Sequence, residues 1–298
     1  MFKIIIFAFM LFLPLSQALG RVDARWFTVA CIVLDDGETQ IIFDPMFTRA
    51  GLKHWFNFAK LESDKSLVSS IMKDHQLNKI QAIFVSHSHF DHSIDAPIVS
   101  KLSGGMFYTD VSSDKIAKAY KDKDIKTQLI ENLKPIQIGK FSVTPIRRVH
   151  AHIRTLGIDF LKGPVRDDFD FGFYDYRMGD TWFYYIEHPE LSIILDQGAD
   201  SFLNSISTFT NKVDVVIQGI ANRVDDEIVV NRGYMTHLKP KIFIPTHFDN
   251  FFFSFDPKGE YSLLPGVRLE EVMEKMKNAH PDKKVIVPKY AEKIELVK

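Results

Sequence analysis

A chain of 298 residues with 46% hydrophobic and 25% charged residues has room for one large domain or two small ones and describes a globular protein, not a disordered or fibrous one. Its 37 basic and 38 acidic residues leave a net charge of −1 without a long like-charge block, which argues against nucleic acid as a partner. The 26 phenylalanines are spread over the whole chain, so the core is expected to be rich in aromatic rings.

At the N-terminus, Lys3 precedes an apolar run from Ile4 to Leu13, then Pro14 and Ser16-Gln17-Ala18-Leu19-Gly20. This charged, apolar and small-x-small order predicts a signal peptide over residues 1–20, cleaved after Gly20, and a mature domain over residues 21–298 that is secreted or periplasmic. The apolar run is too short to cross a bilayer comfortably, so no stable membrane span is expected after its removal. Arg21, not a cysteine, directly follows the expected cleavage point, so no lipid anchor is expected there.

The runs Phe27–Leu34 and Gln40–Phe43, separated by Asp35-Asp36-Gly37, predict two strands joined as a hairpin. Cys31, the only cysteine, falls in the first run and reads as a small buried hydrophobe. Lys65–Gln76 has helical spacing (Leu67, Val68, Ile71, Met72), and Ala82–Val85 is a short buried strand. Ala96–Leu102 and Asp114–Tyr120 are predicted helices, and Met106–Tyr108 and Phe141–Ile146 predicted strands. The second half repeats the style, with strands at Trp182–Ile186, Ile193–Leu195, Val213–Ile217, Lys241–Ile244 and Val285–Val287 and helices at Ser201–Phe209 and Arg268–Ala279. Two such halves with no linker imply one domain of the α/β (α+β) class, with two sheets face to face and helices outside: a four-layer αβ/βα sandwich.

The strand Ala82–Val85 runs directly into Ser86-His87-Ser88-His89-Phe90-Asp91-His92-Ser93. Three imidazoles and a carboxylate within six residues are costly to bury as core, because each needs a polar partner. They are also the donors that borderline divalent metals such as Zn²⁺ prefer. In an extended segment residues two apart point the same way, so His87 and His89 can converge on one ion, while Asp91 and His92, past the turn, can face a second. One loop does not close two metal shells, so further ligands are expected from later strand ends. His150 follows the strand Phe141–Ile146, with His152 as its reserve, and His247 follows an apolar strand as His87 does. The other histidines have no such placement and default to surface or supporting roles. No G-x-S-x-G, P-loop or dinucleotide glycine pattern is present.

The run Ser86–Ser93 resembles the signature of metallo-β-lactamase-fold hydrolases, and the similarity extends over most of residues 27–288. Asp44 after Ile41-Ile42-Phe43 matches that family's structural Asp, His150 its third His position and His247 its last. The combination of Ser88–Pro97 with Pro245–Phe251 resembles one bacterial branch of the family. The resemblance implies that His87, His89 and His150 hold one metal, and Asp91, His92 and His247 a second. Many members place a metal-bridging Asp directly after a strand-closing Gly. Here Gly198 is followed by Ala199, which leaves Asp196 or Asp200 as the candidate bridge.

The expected chemistry is hydrolysis of an ester, lactone, amide or phosphodiester by a metal-activated water, with one or two Zn²⁺ or other divalent ions and Asp91 as the proton-handling catalytic group. The alternative is a metal-binding or substrate-capturing protein of the same fold with little turnover. A small-molecule or lipid-like substrate is the expected partner. Arg166–Tyr185, which interleaves aspartates with aromatics, reads as a surface loop or hairpin, or as a lid over an apolar substrate. Phe251, Phe252, Phe253 and Phe255 either line a hydrophobic mouth or pack beneath the loop.

Overall fold

The structure, a computed structural model, describes residues 21–150, 161–198, 212–221, 233–252 and 261–297. The expected signal peptide, the expected helix Ser201–Phe209, His152 and Asp200 lie outside the described residues.

Among the described residues the first half supplies β1 (Asp23–Trp26), β2 (Ile32–Asp35), β3 (Gln40–Phe43), β4 (Ile80–Phe84), β5 (Met106–Thr109) and β6 (Thr127–Leu129). The second supplies β7 (Ile136–Ile138), β8 (Phe141–Arg148), β9 (Thr181–His188), β10 (Leu191–Asp196), β11 (Val215–Gly219), β12 (Ile242–Thr246) and β13 (Lys284–Val285). Each half forms its own sheet in chain order, and β14 (Lys293–Glu295) crosses back to pair with β1 at the edge of the first. In both sheets an antiparallel stretch turns parallel part-way, at β3–β4 in one and β10–β11 in the other. Parallel neighbours need crossovers, and in the first half these carry α1 (Leu52–Trp55), α2 (Lys65–Asp74), α3 (Phe90–Ser93), α4 (Ala96–Ser103) and α5 (Val111–Ala119).

The period-2 pattern of the strands assigns their faces. Ile41, Phe43, Ala82 and Phe84 point into the cluster shared with the second sheet, while Val33, Ile42, Ile83 and Phe107 point outward to Val68 and Met72 of α2 and Ile98 and Val99 of α4. Tyr184 of β9 joins the sheets, its ring 5.3 Å from both Phe43 and Phe84 and its hydroxyl donating to Val85 O at 2.6 Å. The last helix (Leu269–Ala279) covers the second sheet with Leu269, Val272, Met273 and Met276, an i, i+3, i+4, i+7 stripe. Two seven-stranded sheets with helices outside make the expected αβ/βα sandwich.

One predicted strand needs correction. Phe27–Leu34 is not continuous: Thr28 and Val29 have positive φ (78° and 48°), and Phe27 N donates to Cys31 O, so a tight turn separates β1 from β2. Asp35-Asp36-Gly37 does join β2 to β3 as a hairpin, and Cys31 is buried and unpaired. The segment Arg166–Tyr185 is neither a free lid nor a plain surface loop. It buries Phe171, Phe173 and Tyr176, while Asp167, Asp168 and Asp170 face solvent beside Lys115, Arg166 and Lys60.

Candidate metal centre

The parallel arrangement sends β4 and β12 out of their sheets at the same end of the sandwich, and the histidine run begins where β4 stops. The backbone there is held on both sides: Ser86 N donates to Asp44 Oδ1 at 2.6 Å, Trp182 N to Ser86 O at 2.7 Å and Ser88 N to Met178 O at 3.0 Å. Gly179, at φ 63°, lets that neighbouring chain come close, since a Cβ there would lie 2.6 Å from Ser88 Oγ. His89 then caps a single helical turn, α3 (Phe90–Ser93), which turns Asp91 and His92 back toward His87. The rings of His87 and His92 lie 4.0 Å apart, centroid to centroid.

Two groups of donor atoms result. His87 Nε2 lies 2.9 Å from His89 Nδ1 and 3.3 Å from His150 Nε2. His247 Nε2 lies 3.2 Å from both His92 Nε2 and Asp91 Oδ2, which are 3.5 Å from each other. A tetrahedral ion with ligands at the usual zinc distances separates its donors by about 3.3 Å, and both groups match that spacing. His87, Asp91 and His92 also present donor atoms within 4.8 Å of one another, so His87 adjoins both groups. Two of the outward nitrogens face acceptors, whereas His247 Nδ1 is buried with no hydrogen-bond partner among the described residues. His89 Nε2 faces Leu161 O at 3.4 Å, and His92 Nδ1 faces Asp44 Oδ2 at 3.4 Å, an oxygen with no other hydrogen-bond partner. The donor set, its spacing and its backing carbonyl and carboxylate all fit a divalent cation in each group.

Burial is the largest influence on these groups and opposes charge on each. It holds the His87 imidazole well below its ordinary pKa and lowers that of His89 to about 3. Burial also opposes ionisation of Asp91 and His92, but their attraction overrides it. Asp91, beside His92 and His247, stays well below the carboxylate range, and His92, between Asp91 and Asp44, is pushed up to about 10. Without a cation the site therefore carries Asp91 as carboxylate and His92 as imidazolium.

His247 has a positive φ of 55°, and a distant segment fixes it there. Its N–H donates to Val29 O at 2.7 Å, and Val29 N donates to Asp249 Oδ1 at 2.7 Å. Asp249 faces Arg49 at 3.7 Å, and Arg49 donates to Thr28 Oγ1 at 2.7 Å. The turn that splits the expected first strand is thus the seat of the last histidine.

The structure brings together His87, His89, His150, Asp91, His92 and His247. Asp196 is buried at the end of β10, where it accepts the Tyr234 hydroxyl at 2.7 Å, and belongs to neither group. Sequence reasoning missed Gly198, whose missing side chain is needed: a Cβ there would sit 2.9 Å from His87 Cε1 and 3.5 Å from His150 Cδ2. Arg49, Asp249 and the Thr28–Val29 turn carried no signal, because the bond that ties the turn to Asp249 spans 220 positions of sequence.

The profile described as the Beta-lactamase superfamily domain matches residues 39–248, which spans β3 to just past His247. The chain belongs to the metallo-β-lactamase superfamily. Within it the chain is similar to a UPF0173 metal-dependent hydrolase of Anaeromyxobacter dehalogenans, 25% identical over 241 residues that cover 79% of this chain and 78% of that one. Another from Anaeromyxobacter sp. strain K is 24% identical over 241 residues with the same coverage of both chains. Among solved structures, the metallo-β-lactamase fold protein YhfI of Bacillus subtilis superposes with a TM-score of 0.58 at 13% identity, covering 92% of this chain and 99% of that one. The metallo hydrolase Igni18 of Ignicoccus hospitalis does so with a TM-score of 0.57 at 15% identity, covering 92% and 98%.

Proposed function

We propose that this metallo-β-lactamase superfamily hydrolase holds two Zn²⁺ ions and cleaves an ester, lactone, amide or phosphodiester with water. The observation that carries this reading is the pair of donor groups spaced 2.9–3.5 Å apart, one of three imidazoles and one containing Asp91. His87, His89 and His150 would hold one ion, and Asp91, His92 and His247 the other. Bound there, a divalent cation supplies Lewis acidity and lowers the pKa of water to about 7. The chain's own contribution is to bury the donors, keep His87 and His89 neutral, and present an ionised carboxylate. Asp91 takes the proton of the attacking water and returns it to the leaving group as the scissile bond breaks.

An apolar wall beside His247 favours a lipid-like or otherwise apolar small molecule. The Phe251 ring lies 5.4 Å from that of His247, Phe252 follows at 4.3 Å and Trp55 at 4.6 Å, and the last two are only half-buried. Such a wall adds about 0.8 kcal/mol for each methylene it covers.

Metal analysis of the purified protein followed by a panel of chromogenic esters, lactones, amides and phosphodiesters tests the proposal. The expected result is turnover that EDTA abolishes and zinc restores. Bound metal without turnover on the whole panel favours a capture protein instead. Export rests on the N-terminal pattern alone. Intact mass of protein from the native host is expected to begin at Arg21, and retention of residues 1–20 contradicts it.

A further inference from the structure

Ser86 stands between the two groups of donors. It is 1% exposed, and its Oγ lies 3.1 Å from His87 Nδ1 and 3.1 Å from His92 Nδ1. Each ring turns its Nε2 to a different group: His87 toward His89 and His150, His92 toward Asp91 and His247. Both turn Nδ1 to the same hydroxyl.

The chemistry of imidazole makes this arrangement specific. A cation on Nε2 leaves the ring proton on Nδ1, so a ligand of this kind must donate outward. A serine oxygen has two lone pairs and accepts from both rings at once. For His92 there is a second acceptor, Asp44 Oδ2 at 3.4 Å. For His87 Nδ1, Ser86 Oγ is the hydrogen-bond partner among the described residues.

We propose that Ser86 is a positioning residue that ties the two cation sites together, orienting one imidazole ligand of each through a single shared acceptor. This rests on the two-cation reading above. Its backbone is held independently, by Asp44 on its N–H and by Trp182 on its carbonyl, so removing the hydroxyl leaves the loop anchored.

The test is a zinc titration of EDTA-stripped protein against a chelating dye, with Co²⁺ absorption spectra of the same samples. Wild type is expected to take two equivalents. In Ser86→Ala both dissociation constants are expected to rise about tenfold or more, the usual effect of losing a partner behind a metal-bound histidine. Both cobalt bands shift with them, while the thermal midpoint of the metal-free protein stays put. Ser86→Thr, which keeps the hydroxyl, is expected to restore most of the affinity at both sites. If Ser86→Ala does not fold, Ser86→Gly is read in the same way. A change at only one site, at neither, or an equal loss in Ser86→Thr overturns the proposal. A wild type that takes up fewer than two equivalents overturns the two-cation reading itself, a failure visible before any variant is compared.

Discussion

At the residue scale, the first group of candidate ligands depends on an absent side chain. A methyl group on Gly198 would meet His87 Cε1 at 2.9 Å and Nδ1 at 3.0 Å, inside the normal carbon contact distance of about 3.5–4.0 Å. Gly198→Ala is therefore expected to fold with a loss of about 1–3 kcal/mol but to bind zinc about tenfold more weakly, because the His87 ring must move. Denaturant unfolding and a zinc competition assay check the two parts separately, and unchanged zinc affinity contradicts the assignment. His87→Ala or His89→Ala removes one of the three proposed ligands outright. Each variant is expected to lose one metal equivalent and nearly all hydrolysis while keeping the far-ultraviolet circular dichroism of wild type. Normal stoichiometry in either counts against the site. The histidine run was legible in sequence because clustered imidazoles have no cheap structural explanation. His247 was legible because it ends an apolar strand as His87 does. Gly198 was not, since a close approach is a property of two segments and neither announces the other.

At the element scale, the turn between β1 and β2 is the least legible feature and the one that seats His247. Every residue from Phe27 to Leu34 is apolar or β-branched, which reads as strand. Yet Thr28 and Val29 occupy the left-handed region, at a cost of about 1–2 kcal/mol each, and the hydrogen bond from Val29 N to Asp249 helps hold them there. Asp249 also faces Arg49, whose side chain is 10% exposed. Asp249→Ala removes the carboxylate that faces that guanidinium and frees the turn, so a loss of about 1–3 kcal/mol is expected, together with weaker binding at the His247 group. Urea unfolding that shows less than about 1 kcal/mol would contradict this role. The other missed elements have a simpler cause. The edge strands β6, β7 and β14 are three residues each, too short for an alternation to be read.

At the scale of the whole molecule, the site imposes a pH dependence on the fold. The unfolded chain takes up protons on histidine near pH 6.5. Folded His89 refuses its proton down to about pH 3, and His87 is lowered as well, so acidification below about 6.5 costs stability. His92 has the opposite sign. Held protonated up to about 10, it stabilises the fold fully below about 6.5 and loses that contribution as the pH rises toward 10. The metal-free protein is expected to be most stable near pH 6.5, with an alkaline decline that His92→Gln removes. A cation must displace the His92 proton, so zinc should move the maximum to higher pH. Thermal midpoints from pH 5 to 9, with EDTA and with zinc, decide this, and identical profiles contradict it.

The two halves of the chain each contribute one sheet, and the candidate ligands come from both: His87, His89, Asp91 and His92 follow β4 of the first, His150 and His247 follow β8 and β12 of the second. The face-to-face sandwich was readable from the order of strands and helices, but only the packed sheets bring His247 beside Asp91 at 3.2 Å. That convergence is the centre of the account, and anomalous diffraction at the zinc edge from crystals of the zinc-loaded protein tests it most directly. Two peaks are expected, one enclosed by His87, His89 and His150 and one by Asp91, His92 and His247. A single peak elsewhere, or none at these residues in zinc-saturated crystals, would contradict it.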